Sequence, residues 1–155
     1  MTSQSANDEF LNQCHYALAP HCLGYQFKLV SQLTYREFQG RLEPFGLTPF
    51  HYLVLCCLWD EDGLATSSIA EKLQQLGATL TGVVDRMEER DLVRRKRDPQ
   101  DRRIWRVWLT KEGLQLREVL PPIATASLEK CLKGVSTRDR ERLAQILAQI
   151  VVNLL

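Results

Sequence analysis

The sequence predicts a mainly α fold of the α+β class, and three observations support this prediction. Apolar residues recur at three- and four-residue steps through most of the chain, which is the spacing of helices with one buried face. Only the segment 92–110, LVRRKRDPQDRRIWRVWLT, changes to alternation around an Asp-Pro turn, which is typical of a β-hairpin. The 155 residues, 45% hydrophobic and 25% charged, suit a single domain with its own core.

Helical patterns lead up to a pair of short helices. The segment 8–43 is predicted to be mostly helical, and Thr48 is the predicted N-cap of a helix that begins at Pro49, the position that suits proline best. After the acidic turn DEDG, Thr66 is predicted to cap a short helix, and the longer helix 77–91 follows. Its apolar stripe consists of Leu80, Val83, Val84 and Met87. Two short helices this close together predict a helix-turn-helix.

Positive charge is concentrated on the hairpin that follows. Between residues 94 and 106, seven basic residues stand against Asp98 and Asp101, a local charge of +5 in a chain of net charge +1. The basic residues are Arg94, Arg95, Lys96, Arg97, Arg102, Arg103 and Arg106. A solvated basic loop is the ordinary explanation of such a run. Its position directly after a helix-turn-helix instead predicts a wing that binds DNA phosphates.

The remainder of the chain is predicted to be helical. Thr110 is expected to cap a helix that Pro121-Pro122 break or kink, with a further helix reaching about Cys131. Ser136 is expected to cap the last helix. The apolar stripe of that helix consists of Leu143, Ile146, Leu147, Ile150, Val151 and Leu154. A stripe this wide needs a partner, within the chain or in a second copy.

Three segments together resemble the winged helix-turn-helix regulators of the MarR family: LTPFHYLVLCCLW, SIAEKL and TLTGVVDRMEERDLVRRKRDPQDRRIWRVWLTKEG. The most specific part is DPQDRR followed by V-x-L-T-x-x-G. The resemblance carries through about 40–112 and implies one MarR-like domain, 1–155. Its DNA-binding lobe would span 48–110, with dimerisation helices at 8–43 and 112–155. It further implies a homodimer on a pseudo-palindromic duplex DNA operator, with repression the commoner mode and activation the rarer one.

The resemblance also assigns roles in DNA binding. Arg103 matches the minor-groove arginine of the family, and Asp101 matches the acidic residue that orients it. Further candidates are Ser67, Ser68, Thr79, Thr81 and Arg86 on the helices and Arg94, Arg95, Lys96 and Arg102 on the wing. Family members usually carry Ser, Arg or Lys where this chain has Gly77, Ala78 and Gly82. Threonine contacts bases weakly, so affinity is expected to depend on phosphates, the wing and DNA shape.

The stretch CHYALAPHC poses a separate question. It holds Cys14, His15, His21 and Cys22, and Pro20 disfavours one continuous helix through it. Three interpretations stay open: inert thiols, redox-reactive thiols, or a metal or iron–sulfur site with Cys14 and Cys22 as candidate ligands. No cofactor is expected to be required for DNA binding.

The resemblance implies a small-molecule effector as another possible signal, because MarR-like proteins often switch on amphipathic aromatic ligands. Candidate pocket residues are Tyr25, Phe38, His51, Tyr52, Leu55 and Trp59, although aromatic residues at helical spacing are core residues more often than pocket walls. Cys56 and Cys57 are expected to be buried and inert, and Cys131 has no evident partner.

Other classes of protein lack support in the sequence. It contains no Gly-rich phosphate loop, HExxH or G-x-S-x-G motif, so no enzyme is predicted. No apolar run approaches the roughly 20 residues of a membrane span, and no secretion signal is evident, so a cytoplasmic protein without membrane contact is predicted. The alternative function is a winged helix that binds another protein and not DNA. The charge of the wing favours DNA.

Overall fold

The computed structural model describes residues 22–75 and 77–155, which fall into two units, 1–49 and 50–155. In the first unit, helix α1 spans Leu23–Leu42 and a short 3-10 helix follows at Glu43–Phe45. Gly46 ends that turn with φ 63°, a left-handed conformation that glycine adopts without a Cβ clash. The predicted helical segment 8–43 is helical from Leu23 onward, and its earlier part lies outside the described residues.

The rest of the chain forms a helix-turn-helix, a hairpin and two long helices. Helix α2 (Pro49–Asp60) begins at the predicted proline. Then come β1 (Leu64–Ala65), α3 (Thr66–Lys72), α4 (Gly77–Glu89), β2 (Val93–Arg97), β3 (Trp105–Leu109), α5 (Lys111–Cys131) and α6 (Thr137–Leu154). The three strands form one antiparallel sheet in the order β1-β3-β2. The predicted mainly α fold with a single hairpin is confirmed.

Two details of the helices differ from the prediction. Thr66 is the first residue of α3 and not its cap, because Ala65 takes the N-cap position with extended backbone and no side-chain bond. Pro121 and Pro122 do not break the chain into two helices, since α5 runs through both. Each proline removes one backbone donor, but Leu120 and Ser127 are buried on either side and anchor the helix. The predicted further helix was therefore wrong, and a kink at the two prolines stays a prediction.

The register of the hairpin decides which side chains share a face of the sheet. Val93 pairs with Leu109, Arg95 with Val107 and Arg97 with Trp105. Cross-strand partners and alternate residues lie on one face, so these six side chains are on the same side of the hairpin. Val93 and Val107 are fully buried in the core of the second unit. Its other fully buried side chains include Leu55, Ile69, Leu80, Val84, Met87 and Leu120.

Gly113, the last residue of the segment V-x-L-T-x-x-G, occupies a position that has no room for a side chain. A Cβ on Gly113 would lie 2.1 Å from the carbonyl oxygen of Leu92, so α5 packs directly against the backbone that enters β2. The backbone N–H of Gly113 donates to the Oγ1 of Thr110 at 3.1 Å, and Trp59 Nε1 donates to the Gly113 carbonyl at 3.0 Å. Thr110 in turn donates to the carbonyl of Asp91 at 2.5 Å. The predicted Thr110 cap is confirmed.

The last helix is attached to the rest of the second unit only near its start, as far as the described residues show. Ser136 caps it, because its hydroxyl accepts from the Asp139 backbone N–H at 3.2 Å. Arg140 binds Glu129 at 2.7 Å and the carbonyls of Leu132 and Val135 at 3.0 Å. Beyond Arg140 every side chain of α6 is exposed except that of Ile150, which is half-buried. The apolar stripe therefore has no cover within the described part of the chain.

Replacement of Gly113 tests the backbone contact. We expect Gly113→Ala to lower the free energy of unfolding by about 2 kcal/mol or more, because the new methyl group meets a backbone carbonyl that cannot rotate away. Gly82→Ala is the matched control: this helical glycine has no atom within 4 Å of a built Cβ, so alanine should stabilise by roughly 0.5–1 kcal/mol. Urea unfolding at equal protein concentration measures both. Equal effects of the two substitutions would contradict the packing argument.

Candidate nucleic-acid interface

Helix α4 presents a smooth outer face. Its apolar stripe is buried as predicted at Leu80, Val84 and Met87, while Val83 is half-buried. The side chains on its exposed surface include Ala78, Thr79, Thr81 and Arg86, together with Gly82. Ser67 is exposed and Ser68 half-buried at the start of α3.

Thr81 has one further constraint. Its hydroxyl donates to the Gly77 carbonyl at 2.9 Å, so its proton is already used within the helix. Thr81 can therefore offer a base only its methyl group and its acceptor oxygen. Among the residues predicted to contact bases from α4, only Arg86 has a long side chain.

The tip of the wing holds the arginine that the resemblance singles out. Arg103 donates to Asp101 through Nε at 3.1 Å, Nη2 at 3.1 Å and its backbone N–H at 3.0 Å. The Arg103 side chain is nevertheless 91% exposed. These hydrogen bonds from Arg103 lower the pKa of Asp101, which stays charged. The carboxylate thus fixes the direction of a guanidinium that projects into solvent.

Asp98 holds the turn of the wing together, a role that was not predicted from the sequence. Its carboxylate accepts from the guanidinium of Arg106 and from the backbone N–H groups of Gln100 at 2.7 Å and Asp101 at 3.0 Å. These bonds, that of Arg106 first, lower the pKa of Asp98 to about 2. Arg106 also donates to the Gly63 carbonyl at 2.9 Å. The sequence offered one signal for this role: an Asp at the start of a turn commonly accepts hydrogen bonds from backbone N–H groups two or three residues later.

Two of the predicted phosphate contacts are already paired within the chain. Arg95 binds Asp85 at 2.6 Å and Glu88 at 3.0 Å, and its backbone N–H donates to Glu88 at 2.9 Å. The bond from the backbone of Arg95 is the main cause of the lowered pKa of Glu88. Arg94 pairs with Asp91, which has a positive φ of 59°. Arg95 thus cross-links the wing to α4.

Three cations of the wing remain without a carboxylate partner in the part of the chain that the structure describes. Lys96 and Arg102 were predicted as phosphate contacts, and both are exposed. Arg97 is also exposed, and its place in the sequence predicted a charge on the wing but no particular contact. Its guanidinium lies 3.8 Å from the ring centroid of Trp105. The signal that could have found it was its place opposite a tryptophan in the hairpin register.

The candidate effector residues of the second unit lie close together. Tyr52 and Trp59 meet edge to face, with ring centroids 6.0 Å apart. His51 is buried, and its pKa is lowered by burial and by the charges of Arg90 and Arg86. Burial is the first cause that raises the pKa of Tyr52 to about 12. Leu55 is fully buried in the core. Tyr25 and Phe38 belong to the other unit, where each is half-buried.

The cysteines of α2 are less buried than predicted. Cys56 and Cys57 are both half-buried, because they lie beside the face of α2 that buries Leu55 and Leu58 in the core. Burial nevertheless raises the pKa of both thiols, which keeps them protonated and weakly reactive. Cys131 is exposed.

The stretch CHYALAPHC is described only at its end. Cys14, His15 and His21 lie outside the described residues, and Cys22 is half-buried at the N-cap of α1. Within residues 22–75 and 77–155, no three His, Cys, Asp or Glu side chains are grouped so that they could hold a metal ion. No helix over the same residues is long and apolar enough to cross a membrane.

A helix-turn-helix followed by a cationic, cross-linked wing defines a DNA-binding protein of the winged-helix class. Residues 47–105 match the sequence model of the MarR family. The transcriptional regulator HosA of Escherichia coli O111:H- is 33% identical over 105 residues, which cover 68% of this chain and 78% of HosA. The organic hydroperoxide resistance transcriptional regulator of Bacillus subtilis (strain 168) is 31% identical over 111 residues, which cover 72% of each chain.

A solved structure agrees with these relatives. The S. aureus MepR–DNA complex superposes with a TM-score of 0.79 at 26% identity, and the match covers 84% of this chain and 97% of MepR. The chain therefore belongs to the MarR family, and it is a DNA-binding transcriptional regulator.

The lowered pKa of Asp98 makes the stability of the wing depend on pH. Because its pKa falls from 3.8 to about 2 on folding, its charged form stabilises the protein above pH 3.8, and this contribution is lost as the pH falls toward 2. We expect Asp98→Asn to be less stable than the wild type at neutral pH, with a difference that shrinks below pH 3.8. Thermal unfolding across pH measures it, and Asp60→Asn, on an exposed side chain, is the control. A difference independent of pH would contradict the ionic role.

Proposed function

We propose that this chain acts as a homodimeric repressor that binds a pseudo-palindromic duplex DNA operator in the cytoplasm. In this arrangement α4 enters the major groove of each half-site, and the wing places Arg103 in the adjacent minor groove. The observation that carries the proposal is the Asp101–Arg103 pair, in which a fully ion-paired guanidinium remains 91% exposed at the tip of the wing.

The geometry of Arg103 suits a minor groove. A narrow minor groove has an enhanced negative potential that attracts an inserted arginine. Two bonds from its Nε and Nη2 to Asp101 order the guanidinium before it meets DNA, so little further side-chain entropy is lost on binding. The structure of MepR with DNA supports duplex DNA as the partner.

Base recognition by α4 is expected to be modest. Its exposed face carries glycine, alanine and threonine, with Arg86 as the one long side chain among the predicted contacts. Threonine offers a methyl group and a hydroxyl, which discriminate bases less than a bidentate contact does. Affinity should therefore come mainly from phosphates, the wing and DNA shape, and it should fall steeply with salt.

The apolar face of α6 supports the dimer. Leu143, Ile146, Leu147 and Val151 are between 42% and 52% exposed, on a helix whose start alone is tied to α5. A contiguous apolar patch of this kind marks a protein interface. A second copy of the same helix is a matching partner, because a two-fold axis brings identical patches together.

We further propose that a signal alters DNA binding, through either of two routes. One is an effector bound near His51, Tyr52 and Trp59; the other is redox or metal chemistry at the segment that holds Cys14 and Cys22. Anaerobic purification followed by a visible spectrum, metal analysis and DNA binding with and without peroxide separates the routes. A colourless, metal-free protein that ignores peroxide leaves the effector route.

Removal of the wing arginine tests the proposed docking. We expect Arg103→Ala to weaken binding about 5- to 150-fold on a duplex that the wild type selects from a random library, since a minor-groove arginine is worth roughly 1–3 kcal/mol. Arg138→Ala removes the same charge from the exposed start of α6 and should change affinity little. Fluorescence anisotropy measures both. Equal losses for the two variants would show that the position of Arg103 has no special role.

Charge placed on α6 tests the dimer. Leu147→Glu should convert the dimer to a monomer, because an unpaired carboxylate cannot be buried in an apolar interface. Binding to a two-half-site duplex should fall about 100-fold or more once the half-sites are no longer linked. Gln145→Glu adds the same charge on the opposite side of the helix and is the control. Light scattering gives the mass; a dimeric Leu147→Glu variant would place the interface elsewhere.

A further inference from the structure

The pair formed by Arg97 and Trp105 has no role in the docking described above. The guanidinium of Arg97 stacks 3.8 Å from the centroid of the Trp105 ring, and both side chains are exposed, Trp105 by 40%. No carboxylate pairs with Arg97 among the described residues, whereas Arg94, Arg95, Arg103 and Arg106 each have one. An aromatic face holds the cation in place without neutralising it.

The hairpin register places this pair on the side of the wing that faces α4. Arg97 and Trp105 share a face with Arg95, and Arg95 reaches across to Asp85 and Glu88 of α4. The backbone of Arg95 bonds Glu88, and its guanidinium extends one turn back along the helix to Asp85. Arg95 thus lies beside the last turns of α4. Two residues beyond Arg95, Arg97 lies roughly 7 Å further along the strand toward the tip of the wing.

This location is the notch between the recognition helix and the wing. A duplex that receives α4 in its major groove and Arg103 in the neighbouring minor groove must place one sugar-phosphate strand between them, because that strand separates the two grooves. We propose that Arg97 and Trp105 form a binding site for this strand, with Arg97 on a phosphate and the indole against the adjoining deoxyribose. The inference rests on the proposed function and adds a contact to it.

Arg97 and Trp105 would have different roles in this site. Arg97 supplies the charge, and an arginine can hold a phosphate through two parallel N–H donors. Trp105 is chiefly a positioning residue, because its ring limits the rotamers of the guanidinium before DNA arrives. The exposed part of the indole is available for contact with the sugar. Such a contact adds affinity without base preference.

Salt dependence of binding tests the role of Arg97. On the duplex selected by the wild type, Arg97→Ala should weaken binding, and the slope of log K against log salt should become shallower by about 0.9, the value for one lost phosphate contact. The loss should be similar on a duplex of unrelated sequence. Arg138→Ala is the matched control and should leave the slope unchanged. An unchanged slope for Arg97→Ala would overturn the proposal.

A double-mutant cycle tests the role of Trp105. Trp105→Ala should weaken binding about two- to fivefold, the value of one exposed cation–π contact, and Trp105→Phe should retain most of the affinity. The double variant Arg97→Ala, Trp105→Ala should lose less affinity than the sum of the two single losses, since the positioning effect vanishes with its target and only the sugar contact of Trp105 remains to be lost. Simple additivity of the two losses would overturn the positioning role. Circular dichroism and thermal unfolding of each variant verify the fold.

Fluorine NMR observes the contact directly. The protein labelled with 5-fluorotryptophan carries three reporters, and Trp105→Phe identifies the resonance of Trp105. DNA should shift that resonance in the wild type. A resonance that ignores DNA, while Arg103→Ala still weakens binding, would overturn this inference and leave the proposed function intact. Insensitivity to Arg103→Ala would instead refute the proposed docking.

Discussion

The position of the wing relative to α4 depends on Arg95, and the geometry of DNA binding depends on that position. A two-stranded hairpin has little stability of its own, and β1 adds only two residues to the sheet. Arg95 compensates by bonding Asp85 and Glu88 through its guanidinium and Glu88 again through its backbone. The Arg95 side chain is 27% exposed, so these charge-assisted bonds are less screened than those of a surface pair. The cross-link makes α4 and the wing one binding element.

Most of the basic residues of the wing therefore form ion pairs within the protein. Of its seven basic residues, four have carboxylate partners within the described chain, and Arg103 alone of these four keeps its guanidinium almost wholly exposed. A local charge of +5 thus overstates the number of phosphates that the wing can bind. The cations that remain, Lys96, Arg97 and Arg102, lie beyond Arg95 toward the tip. The charges of Arg94, Arg95 and Arg106 stabilise the protein, and those of the three free cations and Arg103 are available to DNA.

The sequence was sufficient for the elements but not for these pairings. Hydrophobic period, the Asp-Pro turn and the caps at Thr110 and Ser136 predicted the helices and the hairpin, because such signals act over a few residues. The run RRKR contains four similar cations, and nothing local distinguishes Arg95 from Arg97. Their difference arises from the strand register against Trp105 and from the turn of α4 that presents Asp85 and Glu88. The uninterrupted α5 likewise depends on the burial of Leu120 and Ser127. This burial could not be predicted from the sequence, where the two prolines indicated a break or a kink.

Some glycines of the second unit are required by packing or backbone conformation within the chain, and others are not. Gly113 and Gly63 have internal reasons: one abuts the Leu92 carbonyl, and the other has φ 77° beneath the ring of Trp108. Within the described residues Gly77 and Gly82 have none, since apart from the backbone of α4 itself no atom lies within 4 Å of a built Cβ, and alanine at Gly82 would stabilise the helix. A helix that keeps such residues on its exposed face can bring its backbone close to a partner. If α4 enters the major groove as proposed, that partner is the duplex, approached through its backbone and shape more than through long side chains.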